Sequence, residues 1–238
     1  MSNTLVTINE VSKIYNNKKT VNSINLDIKK GEIVALCGGN GAGKSTLLRM
    51  IVGTILPNEG SISVNELNFY EHRKEYAKTI GYMPDDFQFS QSLTAFETLF
   101  YWAKLRGIDK TRVTEVLSEV GLIDDSQKQA NSFSKGMKQR LMFAQAIISK
   151  PSLLIMDEPT NGLDPYWMQT FVQMVKDLKK NDQTVMFSTH QLHIAEALAD
   201  RIIFFNRGEV ILDGYINELK AEHGQEGLNK LFAKIFGL

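Results

Sequence analysis

This chain of 238 residues predicts an α/β fold with an inserted helical subdomain. Three observations point there. Short β-branched runs separated by turns and helical patterns fill the first and last thirds of the chain. A glycine-rich loop follows an all-apolar run and opens a helix. The stretch between carries its apolar residues at helical spacing alone.

Residues 5–11, 21–28 and 33–37 read as strands, bounded by turns such as Lys29-Lys30-Gly31. The third, Ile33-Val34-Ala35-Leu36-Cys37, is apolar throughout, as a central strand covered on both faces is. A helix over 44–52 turns Leu47, Leu48 and Ile51 inward, and Gly53 and Pro57 end it. Short strands follow at 61–64 and 80–83, the second closed by Pro84, which drives the residue before it to extended geometry. From Thr94 to about Lys150 the apolar spacing is helical, as in Phe96, Leu99, Phe100 and Ala103, then Val113, Val116, Leu117 and Val120. Past Pro151, strands at 153–157, 184–187, 201–205 and 209–212 enclose helices over about 166–178 and 192–198. The tail, 215–238, reads as two short helices parted near Gly224 and Gly227. One domain over 1–238 is expected: a core of about 1–90 and 150–214, the helical subdomain over about 91–149, and the short helical tail.

Lysines and arginines number 27, as do aspartates and glutamates, so the formal net charge is zero. A chain that holds polyanions by general attraction carries an excess of cations, and direct nucleic-acid binding is not expected. The single cysteine, Cys37, falls inside an apolar strand and has no partner for an internal disulfide, which suits a buried small hydrophobe in a reducing compartment. The opening MSNTLVTINEV lacks the basic and apolar stretches of a secretory signal. No apolar run, glycine left out, exceeds five residues, against roughly 20 for a bilayer span. Membrane association therefore requires a partner or a surface patch.

Gly38-Gly39-Asn40-Gly41-Ala42-Gly43-Lys44-Ser45 matches the phosphate-loop pattern of P-loop NTPases in full, between an apolar strand and a helix. Glycines let the backbone wrap so that its N–H groups meet phosphate oxygens, and the helix adds the positive end of its dipole. Lys44 is expected to reach the β- and γ-phosphates, Ser45 to offer its hydroxyl to Mg²⁺, and Thr46 to contact the α-phosphate. The ligand this predicts is ATP with Mg²⁺.

Leu153-Leu154-Ile155-Met156-Asp157-Glu158 delivers two carboxylates at the carboxyl end of a buried strand, where open α/β sheets place ligands. Adjacent acids behind four apolar residues are costly without partners. Asp157 is expected to hold Mg²⁺ through water, and Glu158 to orient or deprotonate the attacking water. His190 follows another strand in Ser188-Thr189-His190. It reads either as a cap or core histidine or as a group bonding the γ-phosphate or the water. His72, His193 and His223 share no metal-ligand spacing with it.

Phe133-Ser134-Lys135-Gly136-Met137-Lys138-Gln139-Arg140 is, on general grounds, a serine-capped helix start ahead of the periodic run 141–148. It also resembles the signature of the nucleotide-binding domain of ATP-binding cassette (ABC) transporters, Leu-Ser-Gly-Gly-Gln with Gln-Arg one residue on, and stands about 20 residues before the acidic strand as in that family. The resemblance covers nearly the whole chain and implies a P-loop NTPase core with a mixed sheet flanked by helices, plus an antiparallel β-subdomain and an inserted helical subdomain. It implies that Ser134 and Gly136 meet the γ-phosphate of ATP held by a second subunit. It implies that Tyr15, otherwise a half-buried strand tyrosine, stacks on adenine. Asn161-Gly162-Leu163-Asp164 resembles the loop that crosses between subunits, with Asp164 its acid, and His190 matches the switch histidine.

Two departures stand out. Where the family places glutamine, after Gly81-Tyr82-Met83-Pro84, this chain has Asp85 and then Asp86. The family's glutamine touches Mg²⁺ or water and relays to the membrane domain; a carboxylate can meet Mg²⁺ but cannot donate as an amide does, so Asp85 is a metal candidate and Gln88 an alternative for that relay. Lys135 replaces a glycine and Met137 the glutamine of the signature, resembling a variant of the bacterial ABC-2-type exporters and related bacteriocin-resistance and antibiotic-export systems. The implied function is ATP hydrolysis powering export by a polytopic membrane permease on a separate chain, at the cytoplasmic face of the membrane. The active form would pair two copies, or this chain with a related ATP-binding chain. The alternatives are a soluble cassette ATPase switching nucleic acid, ribosomes or a scaffold, and a regulatory binder that holds ATP unhydrolysed. No second cassette or long coiled coil supports the first, and Glu158 with His190 weighs against the second.

Overall fold

The computed structural model describes residues 3–224 together with Lys230 and Ala233. Strands β1 (Thr4–Tyr15) and β2 (Lys18–Lys29) form an antiparallel pair, and β1 also pairs antiparallel with β4 (Glu59–Val64), which carries the two-residue β5 (Leu67–Asn68). This is the antiparallel subdomain, in the order β2-β1-β4-β5. Both long strands outrun the alternation in the sequence because bulges reset it. Glu10 and Ser23 take φ of 50° and 45°, and the β1–β2 register shifts between Ile8 and Val11.

The second sheet contains β3 (Ile33–Cys37), β6 (Ile80–Met83), β7 (Leu153–Met156), β8 (Thr184–Thr189), β9 (Arg201–Asn206) and β10 (Glu209–Tyr215), in the order β10-β9-β3-β8-β7-β6. All neighbours are parallel except β10, antiparallel to β9, so the sheet is mixed. Successive residues serve opposite cores, as a doubly covered sheet requires. Val34, Leu36, Ile155, Met186 and Phe205 pack with β1, β2 and α1 (Lys44–Val52), while Ala35, Cys37, Met156, Phe187 and Phe204 pack with the helices of the other face.

Those helices are α3 (Ala95–Leu105), α4 (Lys110–Glu119) and α5 (Lys135–Ile147), the inserted subdomain, with α6 (Pro165–Lys180) and α7 (Leu192–Leu198) of the core. The entry into α3 is a reciprocal cap: the Glu97 amide donates to Thr94 Oγ1 at 3.1 Å and the Thr94 amide to Glu97 Oε2 at 2.9 Å. Helix α2 (Arg73–Thr79), like β5, escapes the sequence pattern because it buries only Tyr76 and so has no apolar period. In the tail, α8 (Ile216–His223) matches the first expected helix. The second falls largely outside the described residues. Among the described residues no helix is long and apolar enough to cross a membrane.

Candidate active site

The loop joining β3 to α1 closes around its own backbone. A Cβ at Gly38 would lie 2.2 Å from the Phe205 carbonyl oxygen, and one at Gly43, where φ is +108°, would lie 2.5 Å from that of Thr20. Both positions are thereby restricted to glycine. The loop bounds a cavity of about 190 Å³ lined by Thr20, Asn40, Gly41, Ala42, Gly43, Lys44, Ser45, Thr46, Asp85 and Glu158. The first amides of α1, which have no intrahelical acceptor, and its dipole make this an anion site. Lys44 Nζ donates to the Gly38 carbonyl at 2.7 Å and to that of Gly39 at 3.1 Å, and stands 3.7 Å from Glu158 Oε1.

The two acids that follow β7 have distinct partners. Asp157 is 1% exposed, and its Oδ1 accepts from Ser45 Oγ at 2.9 Å and from Ser188 Oγ at 2.6 Å. Its Oδ2 is buried without any hydrogen-bond partner. A buried carboxylate oxygen lacking a donor is expensive, and a divalent cation would satisfy it. Mg²⁺ commonly takes one or two protein oxygens and completes its shell with water and substrate phosphates, so Ser45 and Asp157 fit it. Among the described residues no group of three or more His, Cys, Asp or Glu could hold a metal by itself.

Glu158 takes φ of +48°, an uncommon conformation for a side-chain-bearing residue and one found preferentially at functional sites. Its amide donates to Ser188 Oγ at 2.9 Å, and its Oε2 lies 2.9 Å from His190 Nδ1. Beneath the site, burial pushes the Cys37 thiol up to about 12 against the pull of Lys44. Burial, reinforced by Asp157, also raises the Tyr82 phenol.

The fold thus brings Asn40 through Thr46, Asp85, Asp157, Glu158 and His190 together, with Gly38 as the floor under Lys44. Tyr15, Ser134, Gly136 and Asp164 do not line this cavity. Tyr15 ends β1, 45% exposed, with the Lys13 ammonium 5.2 Å from its ring centroid. Ser134 caps α5, its Oγ accepting from the Met137 amide at 3.3 Å, and Asp164 caps α6 through the Trp167 amide at 2.9 Å. A Cβ at Gly136 would stand 3.1 Å from the Gly162 carbonyl oxygen. Asp85 Oδ1 accepts from Asn161 Nδ2 at 3.2 Å, whereas Gln88 is exposed and lines no part of the cavity. Sequence reasoning missed Thr20, whose carbonyl confines Gly43 from a distant strand, and Ser188. The signal for Ser188 was present: two polar residues, Ser188 and Thr189, end an apolar strand and are fully buried.

Fold and site define a phosphate-loop nucleotide-binding protein. Residues 21–161 match the ABC transporter family, and the chain belongs to that family as an ATP-binding domain. It is 34% identical over 228 residues to the lantibiotic transport ATP-binding protein SrtF of Streptococcus pyogenes, covering 96% of each chain. It is 37% identical over 219 residues to the bacitracin transport ATP-binding protein BcrA of Bacillus licheniformis, covering 91% of this chain and 72% of that one. A solved ATP-binding subunit of an ABC transporter matches it with a TM-score of 0.89 and 30% identity, over 97% of this chain and 99% of that one. The dimeric structure of MJ0796, a bacterial ABC transporter cassette, matches with a TM-score of 0.80 and 27% identity, over 89% and 99%.

Proposed function

We propose that this chain hydrolyses ATP with Mg²⁺ and powers export by a polytopic permease on a separate chain, as one single-domain half of a head-to-tail pair at the cytoplasmic face of the membrane. The observation that carries the reading is the placement of Glu158 at the edge of the phosphate cavity, between His190 at 2.9 Å and Lys44 at 3.7 Å.

In this reading the loop amides and Lys44 hold the β- and γ-phosphates, Thr46 contacts the α-phosphate and Tyr15 stacks on adenine. Ser45 and Asp157 would hold the cation, and Asp85, bonded to Asn161, stands on the wall of the same cavity. Mg²⁺ held there would supply charge neutralisation for the phosphates. Glu158 accepts a proton from, or orients, the attacking water, and His190 fixes the Glu158 carboxylate and reaches toward the γ-phosphate. Ser134, Gly136 and Asp164 stand outside their own cavity, which supports a pair in which they meet ATP held by the other subunit. The dimeric MJ0796 cassette supports the same pairing, and relatives named for bacitracin transport and lantibiotic transport support coupling to transport. ATP-driven closure and reopening after hydrolysis would move the permease.

The test is co-purification of the chain from its native membranes with partners identified by mass spectrometry. A polytopic permease is expected. Recovery in the soluble fraction with ribosomal, nucleic-acid or scaffold partners would move the same chemistry to a mechanical switch.

A further inference from the structure

Among the described residues, Asp85 is the carboxylate on the phosphate cavity that is bonded to neither the acidic strand nor the phosphate loop. Its hydrogen bond goes to Asn161, 3.2 Å away in the loop after Glu158. That loop is a tight one: the Asn161 amide donates to the Glu158 carbonyl and the Leu163 amide to that of Thr160, each at 3.2 Å. The next residue, Gly162, has φ of +85° and is covered by the Lys135 methylenes, and a Cβ there would lie 2.6 Å from Lys135 Cδ. Its carbonyl oxygen in turn faces Gly136, the third residue counted from the α5 cap Ser134. A continuous set of contacts therefore runs from the phosphate cavity through Asp85, Asn161 and Gly162 to the start of α5.

We infer that Asp85 is a positioning residue: by accepting from Asn161 it fixes the 161–164 loop, and through Gly162 it sets where the start of α5 stands for the other subunit's ATP. A carboxylate accepts and cannot donate, so the donor must come from the loop, and Asn161 provides it. Asp85 and Asn161 thus form a matched pair, and exchanging the two side chains preserves one donor and one acceptor. The inference rests on the pairing of subunits proposed above for its functional consequence, while the Asp85–Asn161 link stands on this chain alone.

The test is a double-mutant cycle in the full chain with D85A, N161A, the double variant, and the exchange D85N/N161D. Hydrogen exchange at the Leu163 amide, measured without nucleotide, is expected to speed up roughly three- to tenfold in either single variant, the range of one modest hydrogen bond. The double variant should add nothing further and the exchange should restore protection, the pattern of a shared interaction. In the ATPase assay kcat should fall by a similar factor in the singles and recover in the exchange, with KM for ATP and the Mg²⁺ requirement changed less than about twofold. Additive exchange rates, or a swap that does not recover, would overturn the inference, as would a raised Mg²⁺ requirement confined to D85A, the mark of a metal ligand. A wild-type chain that fails to hydrolyse ATP would overturn the functional reading, while the hydrogen-exchange cycle would still decide the pair.

Discussion

Ser188 Oγ stands 2.6 Å from Asp157 Oδ1 and at the same time accepts the Glu158 amide at 2.9 Å. One hydroxyl on β8 therefore sets both acids at the end of β7. Ser188→Ala leaves a buried amide and a buried carboxylate oxygen each short of a partner, at a cost of about 2 kcal/mol. Thermal unfolding should show Tm lowered by roughly 4–8 °C for a chain of this size. Because Asp157 also loses its orientation, the Mg²⁺ concentration for half-maximal ATPase should rise. An unchanged Mg²⁺ requirement would confine Ser188 to stability.

In the proposed mechanism Glu158 and His190 serve turnover and not nucleotide binding. Glu158→Gln keeps the shape and removes the base, so ATP affinity should stay within a few-fold while kcat falls by about 100-fold or more. His190→Ala frees Glu158 Oε2 from its 2.9 Å contact and should lower kcat with little change in nucleotide affinity. Equilibrium binding of a fluorescent ATP analogue beside steady-state turnover separates the two. Near wild-type turnover in the glutamine variant would remove Glu158 from the chemistry.

Two glycines of one loop should respond differently to alanine. At Gly43 the new Cβ meets the Thr20 backbone, so Gly43→Ala should abolish nucleotide binding. At Gly41 φ is +75° with nothing within 4 Å of the Cβ, leaving only the conformational penalty of about 1–2 kcal/mol. That penalty is already present in the nucleotide-free loop, so Gly41→Ala should lower stability by about this amount and leave ATP affinity within a few-fold of wild type. Calorimetric titration of both variants checks the contrast.

Much of this was legible in the residues because local signals and burial agree. Ile33 to Cys37 is apolar at every position and is a strand buried at every position, and the loop that follows has the glycines its backbone contacts require. Legibility stops where structure depends on distant backbone. Thr20 matters through a carbonyl pressed on Gly43, and no pattern in β2 announces that contact. The bulges at Glu10 and Ser23 break a period-2 signal without ending the strands, so both strands looked shorter than they are. For Ser134 and Asp164 the limit is different. Helix capping and a role toward another subunit call for the same residue types at the same positions, and each does cap a helix.

Cys37 offers a check on the packing beneath the loop. Its thiol is fully buried and is pushed up from an ordinary 9.0 to about 12. Below pH 9 both folded and unfolded chains keep the proton, so Cys37 adds no pH dependence there. Between 9 and about 12 the unfolded chain releases it first, and stability falls as pH rises. Urea midpoints at pH 8 and pH 10 should show this decline, lessened in Cys37→Ala. In the native protein at pH 8 a thiol-reactive disulfide reagent should label Cys37 far more slowly than in denaturant.

Ser134 can be asked directly which of its two tasks matters. As a cap it accepts from the Met137 amide at 3.3 Å, a task aspartate performs equally well. As a contact to γ-phosphate on another subunit it must stay uncharged, because a carboxylate would face the triphosphate. Ser134→Asp should therefore keep wild-type Tm, whereas Ser134→Ala should lose about 1 kcal/mol of stability with the cap. In an ATP-dependent association assay, run in the hydrolysis-deficient Glu158→Gln background by analytical ultracentrifugation, the ranking should reverse: alanine weakens pairing and aspartate abolishes it. If the aspartate variant pairs as well as wild type, Ser134 is a helix cap and nothing more.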